Sequence, residues 1–312
     1  MVRNWVTCAF SQRTGTLAGM GFLSIVPLLL LAGLSPGAGP AYEARIKKFQ
    51  AEREAALKAE GGWLSLAGHF WLKPGANPIG SAPGSTVELP AGKAPERLGI
   101  VTLRAGAATF EPARGAMVTL DGQPLRTRAT LRPDGKGQQP SAIGVGSLKL
   151  TFIQRGDRFA LRLWDEQNDL RKNFAGTRWF PVNPDWRVEA RLEPAATGRV
   201  ISTETLAGTK ESYESAGFLV FTKGGKEYRI EAARSGDRLW LLFRDGTSGK
   251  TTYKGARQMY TPLPKDGRLT LDFNEAINLP CAYNPWTVCP LPPPQNRLTV
   301  PIEAGELDYR PR

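Results

Sequence analysis

Acidic side chains near the carboxyl end of the chain have the types and spacing that acid–base chemistry needs. Asp272 lies in the strand-like run LTLDFN, and Glu303 and Glu306 lie in the run LTVPIEAGE. If the two runs are neighbours, Asp272 and one glutamate form the carboxyl pair that hydrolysis of a glycan or ester bond requires. The alternative is that these residues occupy a solvated strand edge and turns, where they serve the backbone of a proline-rich loop. The three carboxyl groups are therefore candidates for catalysis, and the sequence leaves both interpretations open.

Other polar residues in the same half of the chain could hold a ligand. Arg257 lies between two tyrosines in the run KTTYKGARQMY. It could hold an anionic or sugar ligand there, or its side chain could simply lie along the edge of the core. The adjoining run DGTSGK lacks the spacing of a phosphate-binding loop, so a nucleotide site is not expected there. The candidate ligand-binding residues are Asp245, Tyr253, Arg257, Asn274, Asn278 and Asn296.

The chain contains one histidine, His69, in the apolar run LAGHFWL. One imidazole cannot supply a histidine-based zinc centre, and a serine or cysteine nucleophile would have to recruit it from a distant part of the sequence. We therefore expect His69 to be a structural residue with a satisfied hydrogen bond. No metal and no cofactor are expected.

The first 41 residues are typical of an export signal. Arg3 and Arg13 precede the apolar stretch LAGMGFLSIVPLLLLAGL, which contains a proline and is followed by the small residues SPGAGPA. Residues 1–41 are therefore predicted to be a cleaved signal peptide, in the membrane only transiently, and the mature protein to be periplasmic or secreted. The alternative is an uncleaved N-terminal helix that anchors the chain, since the apolar stretch is almost long enough to span a bilayer.

The charge of the chain bears on its partners. Lys and Arg number 41 against 29 Asp and Glu, so the formal net charge is +12, and cleavage after residue 41 would remove two arginines. The basic residues are scattered singly through turns and strands, which argues against nucleic acid as a partner. Outside the cytoplasm we expect instead a small molecule or a ligand of the cell envelope. The protein is predicted to be a monomer.

Two cysteines remain after the predicted cleavage, because Cys8 lies in the signal segment. Cys281 and Cys289 are in one short loop, and two cysteines so placed in an oxidising compartment are expected to pair. Zinc binding is the alternative, but zinc normally takes more sulfur or imidazole ligands than this loop offers.

The remaining sequence indicates the elements that must position these residues. Residues 42–62 are rich in helix formers and end in two glycines, so they predict one amphipathic helix. Short apolar-alternating runs separated by turn residues follow to the end of the chain, which predicts an all-β, mainly antiparallel fold. Residues 63–165 are interpreted as a first β-domain. The polar, turn-rich run that starts at residue 166 begins a second, residues 166–312.

The first β-domain resembles a forkhead-associated β-sandwich. The resemblance lies in NPIGSAPGSTVELP, GIVTLRAGAATFEP, VTLDGQPL and IGVGSLKLTFIQRGDRFALRL. The phosphothreonine-reading residues of that family are missing: Ser81 stands where an arginine is usual, GKAPERLG lacks the family's serine and histidine, and Asp121 replaces the asparagine of its turn. The resemblance therefore implies the scaffold without its phosphopeptide ligand.

The mature chain as a whole resembles a bacterial family known only as domain of unknown function 1684. The runs that carry this resemblance are GWLSLAGHFWLKPGANPIGS, WFPVNPDWRVEARLEP, LFRDGTSGKTTYKGARQMY and LDFNEAINLPCAYNPWTVCPLPPPQNRLTVPIEAGE. The family implies a pairing of domains and a distinctive carboxyl end, and it implies no activity. We therefore predict a non-catalytic binding or scaffold protein with a small pocket in its C-terminal domain. The alternative is a carboxylate-dependent hydrolase.

Overall fold

The computed structural model of the protein describes residues 39–135 and 138–311. The predicted export signal therefore lies outside the described residues except at positions 39–41, and Cys8 lies outside them as well. Within the described part, no helix is both long and apolar enough to cross a membrane.

Helix α1 (Pro40–Lys58) opens the described chain. Pro40 fits the first turn because the first backbone N–H groups of a helix have no partner inside it. The sequence predicts this helix over residues 42–62, whereas it starts two residues earlier and ends four residues earlier. Ala59 already leaves the helical backbone, and Gly61 then takes a positive φ of 67° that glycine adopts without strain. Ile46 and Leu57 are its buried residues, and an exposed Glu43–Lys47 pair one turn apart supports its outer face.

The N-terminal domain is a sandwich of two sheets. Its strands are β1 (Leu66–Trp71), β2 (Gly75–Gly80), β3 (Val87–Glu88), β4 (Gly99–Arg104), β5 (Ala107–Pro112), β6 (Val118–Leu120), β7 (Gln123–Leu125), β8 (Ala129–Leu131), β9 (Ala142–Val145), β10 (Leu148–Arg155) and β11 (Arg158–Asp165). One sheet has the order β1-β11-β10-β9-β6-β7 and the other β3-β2-β4-β5-β8. Phe110 of the second sheet and Phe152 of the first are fully buried in the shared core. The likeness to a forkhead-associated sandwich stays a prediction.

The C-terminal domain is built on one large sheet. After the short helix α2 (Asp169–Lys172), its strands are β12 (Arg187–Pro194), β13 (Val200–Glu204), β14 (Lys210–Lys223), β15 (Lys226–Ser235), β16 (Arg238–Phe243), β17 (Arg257–Pro262), β18 (Arg268–Asp272) and β19 (Ile277–Asn278). Their order is β18-β12-β14-β15-β16-β17-β19, and β13 pairs with β14. Single 3-10 turns occur at Trp63–Ser65, Pro184–Trp186, Phe273–Glu275, Pro280–Ala282 and Pro294–Asn296.

Strand pairing confirms the predicted all-β, mainly antiparallel class. Among the described strands, only β2 and β3 pair in parallel. The hairpin of β14 and β15 turns through Gly224 (φ 59°) and Gly225 (φ 75°), the backbone that a two-residue type I′ turn requires. This hairpin lies at the centre of the sheet. It supplies Leu219, Phe221 and Ile230 to the main C-terminal core.

Candidate functional site

The proline-rich segment near the carboxyl end is fixed to the C-terminal sheet. Cys281 and Cys289 form a disulfide, as the sequence predicted. Beyond it, the backbone N–H of Leu291 donates to the Glu204 carbonyl at 2.7 Å, and the Leu206 N–H donates to the Cys289 carbonyl at 3.0 Å. These two bonds tie the segment to the end of β13, so its side chains have defined positions.

The asparagines of this part of the chain bind backbone groups. Asn296 accepts from the Glu231 N–H at 2.7 Å and donates to the carbonyls of Glu231 and Leu242 at 2.8 and 2.9 Å. Asn278 donates to the Leu307 carbonyl at 2.7 Å. Both are buried. Their amide groups replace backbone partners that the prolines cannot offer, and they are turned away from solvent.

The predicted carboxyl pair is not assembled by direct contacts. Asp272 binds the Tyr42 hydroxyl at 2.9 Å and the Arg45 guanidinium at 2.5 Å. Glu306 is fully buried and accepts from the Tyr283 hydroxyl and from the Asn278 N–H. Glu303 is exposed. Within the described residues, the three carboxyl groups share no hydrogen-bond partner.

Burial changes the pKa of the Glu306 carboxyl group. Burial raises its pKa to about 7, against the opposing charge of Arg53 and the Asn278 N–H. A raised pKa can mark a general acid, but such a group must reach a substrate. Glu306 has no exposed surface. The cause of the shift is its enclosure beneath α1.

Helix α1 rests on this carboxyl end through charged and polar side chains. Arg45 spans Asp272 and Glu275. One turn before the end of α1, Arg53 donates to the Asn278 carbonyl at 3.1 Å, and its Nε lies 3.9 Å from the Glu306 carboxylate.

Arg257 and Asp245 form a second buried unit. Their 2.6 Å ion pair is fully enclosed, and Arg257 also donates to the carbonyls of Ile302 and Ala304. The Asp245 carboxylate further accepts from the Thr247 N–H at 2.7 Å. Arg257 thus holds the 302–304 backbone against β17 and has no surface to offer a ligand.

One concavity of the domain, called the basic cleft below, has a volume of about 270 Å³ and is lined by Leu206, Arg244, Tyr253, Lys254, Gly255, Leu291, Pro292 and Arg297. Arg244 and Arg297 are adjacent because their backbones form a parallel bridge. Within the described residues, the side chains of Arg244, Lys254 and Arg297 take part in no ion pair or hydrogen bond. The surface of the cleft is mostly apolar, so these side chains line it largely through their hydrocarbon stems.

Tyr253 adds a hydroxyl and a ring to the cleft. Burial raises its pKa, and so does the nearby charge of Asp308, so the hydroxyl is protonated and can donate. A Cβ on Gly255 would lie 2.5 Å from the Tyr253 ring, so glycine at this position lets the ring lie against the backbone. Leu206, Leu291 and Pro292 make the other wall apolar.

Of the predicted ligand-binding residues, Tyr253 lies in the cleft, whereas the others are buried in hydrogen-bond networks: Asp245, Arg257, Asn274, Asn278 and Asn296. Sequence reasoning missed Lys254 and Arg297. They lie 43 positions apart, and no local pattern distinguishes them from other scattered basic residues. Only their position in the sequence, beside the glycine-rich and proline-rich turns that line the cleft, could have indicated them.

The C-terminal domain is similar to a known protein family. Residues 172–307 match the model of the family described as "Protein of unknown function (DUF1684)". The C-terminal part of the chain is therefore similar to the DUF1684 family, and residues 172–307 are called the DUF1684 segment below. Every residue that lines the basic cleft lies within the DUF1684 segment, whereas α1 lies outside it.

Solved structures similar to the chain include the solution NMR structure of an uncharacterised protein of Haloarcula marismortui. It is 32% identical, with 44% of this chain and 78% of that one covered and a TM-score of 0.36. No curated protein matches the chain.

Replacing both Cys281 and Cys289 by alanine is expected to destabilise the DUF1684 segment by about 2–3 kcal/mol. The disulfide joins residues eight positions apart, and the unfolded chain regains conformational freedom when this link is removed. Urea unfolding followed by tryptophan fluorescence measures the change. Unfolding the wild type in excess dithiothreitol is the control and should give the same midpoint as the double variant. Equal stability of the oxidised wild type and the variant would contradict the prediction.

Proposed function

We propose that the chain is an exported, non-catalytic binding protein whose basic cleft takes a small anionic ligand with an apolar part. The observation that carries the proposal is that Arg244, Lys254 and Arg297, none of them ion-paired in the described structure, line one cleft whose surface is otherwise mostly apolar. Cations in this arrangement favour an oxyanion, and the wall favours a ring or short hydrocarbon next to it.

The hydrolase alternative has less support. Its carboxyl groups would have to face one another across an accessible space, but Asp272 and Glu306 are buried with separate partners and Glu303 is exposed. A group of three or more potential metal ligands does not occur among residues 39–135 and 138–311. The described residues that line the cleft include cations and a tyrosine but no carboxylate.

Export is proposed on two grounds. The sequence of residues 1–41 has the pattern of a signal peptide, and a disulfide persists in oxidising compartments. An anionic small molecule or an anionic component of the cell envelope is the ligand class that such a compartment offers to a basic cleft.

Phenyl phosphate tests the cleft, because it carries an oxyanion and an apolar ring. It is expected to raise the melting temperature of the wild type more than equal concentrations of phenol or inorganic phosphate, and the gain should shrink as sodium chloride increases. The double variant Arg244→Gln/Arg297→Gln should lose most of the gain.

The matched control is Arg268→Gln, which removes one exposed arginine at the start of β18 and should leave the gain unchanged. The proposal is overturned if phenyl phosphate stabilises the wild type no more than phenol does. An equal gain in the double variant and the wild type would also overturn it.

A further inference from the structure

The side chain of Arg162 is a buried cation that forms no ion pair in the described part of the chain, where the charges of Asp134 and Glu211 act on it only from a distance. It lies in the middle of β11 and is 7% exposed. Its neighbours Leu161 and Leu163 pack into the sandwich core, so the Arg162 side chain projects from the other face of the sheet. It makes no hydrogen bond or ion pair with any described residue, and its Nε is enclosed without a partner there. Enclosing a lone guanidinium is costly, so proteins normally pair it with an anion.

His69 lies directly opposite Arg162 in the neighbouring strand β1. Both of its ring nitrogens are enclosed, and neither has a hydrogen-bond partner among the residues that the structure describes. The expectation of a satisfied structural histidine is therefore wrong for this residue. Burial, together with the charges of Arg162, Arg155 and Arg158, lowers its pKa to about 4, so the imidazole is neutral at pH 7.

The carboxylates near this pair are engaged elsewhere. Asp134 binds Arg155 at 2.8 Å. Glu211, from β14 of the C-terminal domain, lies 3.9 Å from Arg155 and accepts from the Tyr213 hydroxyl. Both carboxylates thus contact Arg155, and neither contacts Arg162.

Aromatic rings flank the same place. The Arg162 guanidinium lies 5.3 Å from the Trp63 ring centre, and the ring centres of His69 and Trp71 are 4.7 Å apart in an edge-to-face arrangement. Arg158 lies 3.8 Å over the other indole, Trp71. Indole faces beside a cation suit a flat or sugar-like group that carries an anion.

We propose that Arg162 and His69 form a second ligand site, at the junction of the two domains, that binds the oxyanion of a small carboxylate or phosphate ligand. The guanidinium offers two parallel donors to such an anion, and the imidazole adds a third donor beside it. The rings of Trp63 and Trp71 contact the body of the ligand. The site is separate from the basic cleft and does not depend on it.

The single histidine makes the test direct, since its imidazole resonances in a tag-free protein can belong to no other residue. Inorganic phosphate is titrated while the His69 signals are followed by NMR, and chloride holds the ionic strength constant. A second titration uses acetate. Saturable shifts and a His69 pKa raised by about one unit or more are expected, because a bound anion favours the imidazolium. A response to phosphate alone or to acetate alone identifies which oxyanion the site takes.

Two variants test whether the His69 response arises from an anion bound at Arg162. Arg162→Gln should abolish the response, whereas Arg244→Gln/Arg297→Gln, which changes only the basic cleft, should keep it. If Arg162→Gln does not fold, Arg162→Lys should fold and show at least a tenfold weaker response, because it keeps the charge and loses the paired donors.

Stability gives an independent readout. Without phosphate, Arg162→Met should be no less stable than the wild type, because the variant removes an unpaired buried charge. Phosphate should not stabilise the variant, because the variant lacks the guanidinium that would bind it. His69 signals that respond to neither anion in the wild type overturn the proposal. A response that survives in Arg162→Gln overturns it too.

Discussion

Arg257→Met is expected to lower the free energy of unfolding by about 3–5 kcal/mol, more than the loss of the Cys281–Cys289 disulfide. Methionine fills much of the same volume, but it leaves the Asp245 carboxylate buried and without its cation. The carbonyls of Ile302 and Ala304 lose their donor as well. Chemical unfolding by urea, with the midpoint and slope fitted together, measures the loss.

The control for that loss is Arg191→Met on the exposed face of β12. Arg191 pairs with Glu193 at 2.9 Å and Glu227 at 3.0 Å, contacts similar in distance to the Arg257–Asp245 pair but open to water. Exposed pairs contribute little to stability because water screens them, so Arg191→Met should cost far less than Arg257→Met. Equal losses of stability in the two variants would show that burial does not determine the contribution of Arg257.

Glu306→Gln is expected to change how stability depends on pH. The pKa of Glu306 in the folded protein is about 7, above the value of 4.5 for a free carboxyl group. The folded state therefore binds more protons than the unfolded state between these two values, and its stability falls as the pH rises through that window. Glutamine has no proton to lose. The unfolding free energy of the variant relative to the wild type should rise by about 2 kcal/mol from pH 5 to pH 8.

Glu303→Gln is the matched control for this pH profile. Glu303 lies three positions before Glu306 in the same segment and is exposed, so its substitution should leave the pH profile parallel to that of the wild type. Urea unfolding at half-unit steps from pH 5 to pH 8 gives the three profiles. Parallel profiles for Glu306→Gln and the wild type would show that the carboxyl group does not titrate in this range.

Much of the fold could be predicted because local pattern determines it. Alternating apolar residues in runs such as RFALRLW, which forms β11, are sufficient to predict a half-buried strand. The adjacent glycines 224 and 225 predicted the central hairpin, and the pairing of Cys281 with Cys289 followed from their separation and the inferred compartment. Each of these features depends on residues close together in the sequence.

The sites could not be predicted in the same way, because they depend on long-range register. Arg257, between two tyrosines, looked like an exposed anion clamp, yet strand pairing places it opposite Asn278 and beneath the 302–304 backbone. Conversely, nothing near Arg297 indicates that a bridge to Arg244 will bring two cations together. His69 looked ordinary because its arginine neighbour lies on a strand 93 positions later.

The docking of α1 affects how the DUF1684 segment can be studied. The family match begins at residue 172. The cations that face Asp272 and Glu306 are Arg45 and Arg53, which lie more than a hundred positions before the start of the match. A fragment cut to the limits of the family would expose the surface beneath the missing helix and leave both carboxylates without their arginines. Expression of residues 172–307 alone should therefore yield aggregated protein. Adding the helix as a separate peptide would be the simplest attempt at recovery.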